Sequence, residues 1–399
     1  MVAACPFPYG RGTPIRIFRM AEALSDRGHH VNVIAYHLGN SINNLPFKIH
    51  RILNVRTYKK YSPGPNYQKL IVLDSLLTLK LLKYLKENRT DIIHAHNYEG
   101  LLISLIIRTR INIPVIYDAH TLLESELPYY KLGLSNKIKK MFGQLIDRWA
   151  PKKADHIIAV TDRIKSKLIL DSDINPDRVT TIMNGVKENH FSPSSDNQKD
   201  KIFSREKILI FTGNLASYQR IDLLLRLFQL VLLQRGDVRL LIVTDSSFDS
   251  YEQMAKELNI RKNIDIYNSD FNTLPEYLAA ADVALNPRID CDGLPQKLLN
   301  YMAAGKPIVT FQSSGKILTD GVTGLVIEDG NLQAFADAIL ILLNNPILGN
   351  TLGANAREIV KAKYNWMNIA GELEDVYEKV LTAKSKLTAL ANNSLILKA

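Results

Sequence analysis

The residues from Asn286 to Val309 hold the chain's densest set of groups able to do chemistry. Arg288 follows a β-rich run, Val283-Ala284-Leu285, and two carboxylates, Asp290 and Asp292, come before a short helical pattern from about Pro295 to Gly305. A helix N-terminus points unsatisfied N–H groups at whatever precedes it, and Arg288 and Lys297 add positive charge, a combination suited to a diphosphate. Asp292 and Asn300 are spaced to hydrogen-bond sugar hydroxyls at opposite ends of one ligand. The plain alternative is a solvated loop and a helix packed through Leu298, Leu299 and Met302. It accounts for the apolar residues and leaves the basic loop without a purpose.

A second candidate is the loop from Pro6 to Pro14, with Gly10, Arg11, Gly12 and Thr13 at its end. In a doubly wound sheet such a loop lies at the carboxyl edge, and its glycines let backbone N–H groups approach a charged or sugar ligand. It is neither a G-x-G-x-x-G fingerprint nor a P-loop, and the plain reading is a turn with Pro14 at the first helical position. His120 closes Tyr117-Asp118-Ala119-His120 at the carboxyl end of another predicted strand. His94 and His96 form a His-x-His pair with no third ligand at a diagnostic spacing. They are read as hydrogen-bonded structural residues, function is assigned to His120, and no metal is expected.

The elements that position these groups alternate as strand and helix. In the first half the β-rich runs are Val31–Ala35, Asp91–Ala95, Pro114–Tyr117 and His156–Val160, and in the second they are Ile208–Phe211, Arg239–Val243, Ile264–Tyr267, Val283–Leu285 and Pro307–Val309. Only Met1 to Cys5 precede Pro6, short for a first strand of about five or six residues, so the true start is expected a few residues earlier. The helix over Ile15 to Arg27 places Ile15, Phe18, Ala21 and Leu24 on one face and stops at Gly28. The pattern predicts two parallel-sheet domains, 1–190 and 191–365, joined by the turn-rich stretch 191–200. A last segment, 366–399, carries a helix (Ile369, Leu373, Val376, Val380) expected to cross back to the first domain.

The chain of 399 residues has a net charge of +10, unevenly placed. Residues 1–190 hold 28 Lys and Arg against 16 Asp and Glu, a net of +12, and all nine histidines, whereas the remainder has a net of −2. This asymmetry suits an anionic partner or a merely solvated basic surface. Two cysteines 286 positions apart make no disulfide framework, so a reducing, cytoplasmic setting is expected. No uncharged run approaches the roughly 18 residues of a membrane span, and no basic n-region opens a secretory signal. Residues 137–153 read as a basic amphipathic helix, with Ile138, Met141, Phe142, Leu145, Ile146 and Trp149 among Lys137, Lys139, Lys140, Arg148, Lys152 and Lys153. The ordinary reading turns that apolar stripe to the core; the other lays it on anionic lipid, with the protein peripheral on the inner face of the membrane. Nothing interleaves aromatic and basic residues as nucleic-acid surfaces do, and no nucleic-acid partner is expected.

These pieces, in this order, resemble the retaining GT-B glycosyltransferases called glycosyltransferase group 1, of the family 4-like type. The resemblance covers residues 1 to 382. It rests on Leu24–Val31, Asp91–His96, Ala154–Thr161, Met183–Val186 with Phe191-Ser192-Pro193, Leu294–Val309 and Asp320–Val326, of which Tyr301-Met302-Ala303-Ala304-Gly305-Lys306-Pro307 is the most specific. It implies an α/β fold of two Rossmann-like, doubly wound domains facing a central cleft. It also implies transfer from a nucleotide-diphosphate sugar to a saccharide or lipid-linked acceptor in cell-surface polysaccharide or glycolipid synthesis.

The implied donor site comprises Gly213, Asn214, Gln219, Arg220, Arg288, Gly293, Leu294, Lys297 and Asn300. Asp292, His120 and Arg288 would act at the transferred sugar, and the Gly10–Thr13 loop would line the acceptor side. The family usually carries two glutamates with seven residues between them; here they read Asp292 and Asn300. Its diphosphate-binding Arg and Lys read Asn214 and Gln219, and the glycine after that Lys reads Arg220. Either Arg288, Lys297 and Arg220 compensate, or the chain is a catalytically weak or inactive relative that binds nucleotides or partners. The family mechanism is front-face displacement, in which the leaving diphosphate takes the acceptor proton, with neither an enzymic nucleophile nor a metal. Other GT-B enzymes such as epimerases and phosphorylases share the architecture, and the motif order argues against them.

Overall fold

The computed structural model describes residues 1–9, 12–61, 64, 68–130, 133–191, 206–268, 273–289 and 295–396, those of 188–189 and 387–396 without side chains. The chain divides into two compact units, 1–184 with 366–399, and 185–365. Residues 185–190, expected in the first domain, belong to the second. Val186 N donates to Tyr364 O at 2.8 Å, and Phe191 is buried in the second unit's core.

The first unit is built on strands β1 (Val2–Ala3), β2 (Asn32–Ala35), β3 (Lys48–Arg51), β4 (Ile93–His96), β5 (Val115–Ala119), β6 (His156–Ala159) and β7 (Val179–Thr181). All are parallel, in the order β3-β2-β1-β4-β5-β6-β7. Side chains alternate between two buried faces. Ile34, Tyr117 and Ile157 join one core with Leu77, Leu81 and Leu101. Ile116 and Ile158 meet Met20, Ala23 and Leu24 on the other, where Ile369, Leu373, Val376 and Val380 of the C-terminal helix (Trp366–Ile396) also lie.

Helix α1 (Gly12–Asp26) turns inward through Ile17, Met20, Ala21 and Leu24, together with Arg16. Ile15 and Phe18, expected on the buried face, are half-buried at its margin, because the face is centred one position later than the apolar spacing suggested. The remaining helices are α2 (Asp74–Glu87), α3 (Asn97–Arg108), α4 (Leu123–Glu126), α5 (Asn136–Trp149) and α6 (Asp162–Ser172).

Helix α5 reverses the ordinary expectation. Its inner face is Lys139, Gly143 and Asp147, whereas Ile138, Met141, Phe142, Leu145 and Trp149 are exposed. The cause is its contact with α4. A Cβ at Gly143 would lie 2.5 Å from the Glu124 backbone, so the helix approaches too closely for a large side chain there. Asp147 accepts from the amides of Leu123 (3.1 Å) and Glu124 (3.0 Å) and thereby caps the start of α4. Lys139 Nζ donates to the carbonyls of Pro128 and Tyr130.

The second unit holds β8 (Lys207–Thr212), β9 (Val238–Thr244), β10 (Ile264–Asn268), β11 (Val283–Asn286), β12 (Ile308–Phe311) and β13 (Leu325–Ile327). These are again all parallel, in the order β10-β9-β8-β11-β12-β13. Its helices are α7 (Ile221–Gln234), α8 (Asp249–Glu257), α9 (Leu274–Ala280), α10 (Gln296–Ala303), α11 (Leu332–Asn344) and α12 (Pro346–Lys363). Both sheets reverse strand order beside their first strand, between β1 and β4 and between β8 and β11. Such switch points open a ligand crevice at the carboxyl ends of the strands.

Candidate functional site

In the second unit the switch point gathers Gly213, which follows β8, and Arg288, which follows β11. Gly213 takes a φ of +123°, a conformation that a side chain would strain, and a Cβ there would meet Lys297 Nζ at 3.4 Å. Lys297 enters from the first turn of α10 and is buried. Its ammonium donates to Gln219 Oε1 at 2.9 Å and stands 3.7 Å over the centre of the Phe211 ring. Tyr301 fixes α10 against the sheet, its hydroxyl accepting from Thr212 N at 2.8 Å. The result is a buried cation fixed beside the Gly213 backbone at the strand's end, a placement that suits an anionic ligand.

The two amides that replace the expected cations have definite tasks. Asn214 Nδ2 donates to the Tyr218 hydroxyl at 2.8 Å and its Oδ1 accepts from Ala216 N at 3.2 Å. Tyr218 in turn carries Arg288, whose guanidinium lies 4.8 Å from the ring centre. Gln219, as noted, orients Lys297. Each neutral residue thus helps position a cation delivered from elsewhere. Buried Arg288 Nε has no hydrogen-bond partner among the described residues, an N–H suited to an incoming acceptor. Arg220 differs: at φ +56° it forms a fork on Asp222 at 3.0 and 2.9 Å, so its charge is already answered. Asn300 lies one turn beyond Lys297 on α10, partly exposed. Asp292, Gly293 and Leu294 lie outside the described residues.

In the first unit the carboxyl ends of β4 and β5 converge on Asp118, which sequence reasoning did not single out. Its Oδ2 accepts from Arg16 Nε at 2.9 Å, from His96 Nδ1 at 3.0 Å, and stands 3.2 Å from His120 Nε2. Arg16 NH2 reaches Oδ1 at 3.1 Å. Burial alone would raise the Asp118 pKa, but the Arg16 guanidinium and then His120 hold it well below the usual carboxylate range. Burial, reinforced by His94, pushes the His96 imidazole well below its ordinary value and keeps it neutral. With Nε2 of His120 towards the carboxylate, its Nδ1 lies 3.2 Å from Thr13 Oγ1 at the start of α1. This joins the loop residue Thr13 to the strand residue His120. Gly12 opens α1 with unobstructed space around it; Gly10 and Arg11 lie outside the described residues.

His94, His96 and Asp118 are close enough to hold a metal ion. The donor set fits poorly, because the carboxylate is already shared with a guanidinium that would repel a second cation. His94 instead meets the Tyr377 hydroxyl at 2.7 Å. A signal for the missed pair was present in the sequence. Asp118 precedes His120 by two residues and so shares its side of β5, and Arg16 lies three residues beyond Thr13 on α1.

Comparison with known proteins agrees with this architecture. Residues 194–359 match the family of glycosyl transferases group 1 and residues 10–190 match glycosyltransferase family 4. The chain is 23% identical over 308 residues to a D-inositol 3-phosphate glycosyltransferase of Corynebacterium aurimucosum, covering 73% of this chain and 72% of that protein. Among solved structures it superposes on sucrose-phosphate synthase of Thermosynechococcus elongatus with a TM-score of 0.81 at 20% identity, over 96% of this chain and 99% of that one. Anabaena HepE in complex with UDP and glucose gives 0.74 at 15% identity, over 95% and 99%. With both halves matched in order and both sheets wound alike, the chain belongs to the GT-B-fold glycosyltransferases related to group 1 and family 4.

Proposed function

We propose that the protein is an active, retaining glycosyltransferase that takes its sugar from a nucleoside diphosphate donor and needs no resident metal. The observation that carries this reading is Lys297, buried at the end of β8, oriented by Gln219 and packed beside Gly213. Lys297 and Arg288 replace the diphosphate cations absent at positions 214 and 219, while Asn300 takes the nucleotide ribose. On the first unit, Thr13 and His120 serve the sugar and acceptor side, with Asp118 fixing the imidazole. In the reaction, the anomeric carbon breaks its bond to the diphosphate oxygen and forms one to the acceptor oxygen on the same face. The acceptor proton passes to the diphosphate, whose growing charge the two cations and the α10 N–H groups counter. Asp292 stabilises positive character at the anomeric carbon. The acceptor is a saccharide or lipid-linked saccharide, the substrate of cell-surface polysaccharide or glycolipid assembly.

The test is a panel of nucleotide sugars and free nucleoside diphosphates, headed by the UDP present in HepE, measured for binding and slow hydrolysis. Binding of one nucleotide, with turnover lost in Asp292→Ala and binding lost in Lys297→Met, supports the reading. Asn214 and Gln219, committed to Tyr218 and Lys297, also suit a second reading, a glycosyltransferase-like protein without catalysis. Absence of binding across the panel would transfer the conclusion to it.

A further inference from the structure

We propose that the outward apolar face of α5 docks on an anionic phospholipid surface. The inference is independent of the transferase reading. It starts from the inversion of α5, whose contact side is filled by Gly143, Asp147 and the Lys139 ammonium. At about 100° per residue, Ile138, Met141, Phe142, Leu145 and Trp149 fall within one stripe on the opposite side. Leu145 is 63% exposed, Met141 59%, Trp149 53% and Phe142 50%, and Leu134 just before the helix is also exposed. Large apolar side chains grouped along 14 residues expose a patch of the kind that marks a contact surface.

The occupant follows from charge and residue type. Lys137 and Arg148 border one edge of the stripe, Lys140 lies beyond them, and Lys152 and Lys153 follow the helix end; all five are exposed. Asp147 is the only acid between residues 137 and 153, and it is turned inward onto α4. An apolar stripe with aromatic residues, edged by cations, lies in the headgroup boundary of anionic lipid. A second copy of the same face would instead bring like charges together. Among the described residues no single helix is long and apolar enough to cross a membrane, so attachment of this kind is superficial.

The experiment uses the full chain with vesicles of phosphatidylcholine alone or mixed with phosphatidylglycerol, in flotation and tryptophan fluorescence. Trp149 is half exposed and Trp366 is buried, so insertion moves the Trp149 emission to the blue while Trp366 stays constant. Binding is expected only to the anionic vesicles, weakening as salt rises from about 0.1 M to 1 M. Met141→Ser/Leu145→Ser is expected to weaken it by roughly tenfold to a hundredfold, with thermal unfolding unchanged. Lys137→Glu/Arg148→Glu tests the charge separately and is expected to abolish the preference for anionic lipid. No binding at low salt, binding indifferent to both double variants, or a dimer that Met141→Ser/Leu145→Ser dissociates would each overturn the proposal. A protein that binds vesicles and no nucleotide would refute the donor reading and leave this one standing.

Discussion

Replacing Arg16 by Leu should unfold the first unit selectively, and the structure sets the size of the effect. The guanidinium makes five hydrogen bonds, two to Asp118, one each to the carbonyls of Ile182 and Met183, and one to Asn184 Oδ1. Breaking one partner of a buried pair costs about 3–5 kcal/mol. Each carbonyl left without its donor adds about 1 kcal/mol. The expected loss is about 5–7 kcal/mol, comparable with the whole stability of an ordinary domain, about 5–15 kcal/mol. Both tryptophans, Trp149 and Trp366, lie in the first unit, so their fluorescence during urea unfolding reports that unit alone. The midpoint should fall by about 2 M.

The pH dependence of the loss distinguishes an electrostatic cause from lost shape. In the native protein burial raises the Asp118 pKa, but Arg16 and then His120 hold it well below the usual range. Its contribution is therefore complete above the unfolded pKa and is lost only as pH falls through the lower folded value. In Arg16→Leu, burial is opposed by the imidazoles alone and the folded pKa rises above the unfolded one. The variant's deficit should then shrink as pH falls through that raised folded value towards the unfolded one, about 3.9. Arg16→Leu/Asp118→Leu should recover most of the loss. A loss below about 1 kcal/mol, a deficit that does not vary with pH, or a double variant no more stable than the single one would refute the reasoning.

Lys297→Met should weaken nucleoside diphosphate binding by roughly a hundredfold, against less than about fivefold for Arg220→Ala, whose charge is neutralised by Asp222; isothermal titration compares them. Burial, aided by Lys379, lowers His156 to about 4. The stability it supports is full above the unfolded value of about 6.5 and is lost as pH falls from there towards 4, so His156→Gln should flatten urea midpoints across that window. Gly143→Ala places a methyl 2.5 Å from the Glu124 backbone and should cost about 1–3 kcal/mol, seen as a lower urea midpoint by tryptophan fluorescence.

What the sequence discloses depends on whether the deciding contact is local. Alternating strand and helix periods, with Gly28 and Gly305 as stops, are local signals, and each predicted strand overlaps an observed one to within two residues at either end. The short strands Lys48–Arg51 and Val179–Thr181 have little apolar character of their own; they exist because a neighbouring edge offers partners. His120 is legible because it closes a strand. Arg16 is not, since a charged residue on an amphipathic helix reads as solvated until Asp118, 102 positions away, is folded beneath it. Helix α5 shows a different limit: periodicity discloses an apolar stripe, and only the Gly143 contact with α4 decides that it points outward. Asn214 and Gln219 read as losses in a motif comparison because the cations they are tied to, Arg288 through Tyr218 and Lys297 directly, come from other parts of the chain.

The return of the C-terminal helix to the first sheet makes that unit discontinuous in the chain. On a ribosome, residues 185–365 emerge complete and can close their own core. Residues 1–184 must wait, with Met20, Ala23, Leu24, Ile116 and Ile158 uncovered until Leu373, Val376 and Val380 leave the exit tunnel. Synthesis order and folding order are therefore opposed. A message truncated before Trp366 would yield a sound second unit joined to a sticky first one, the form a quality-control protease should recognise.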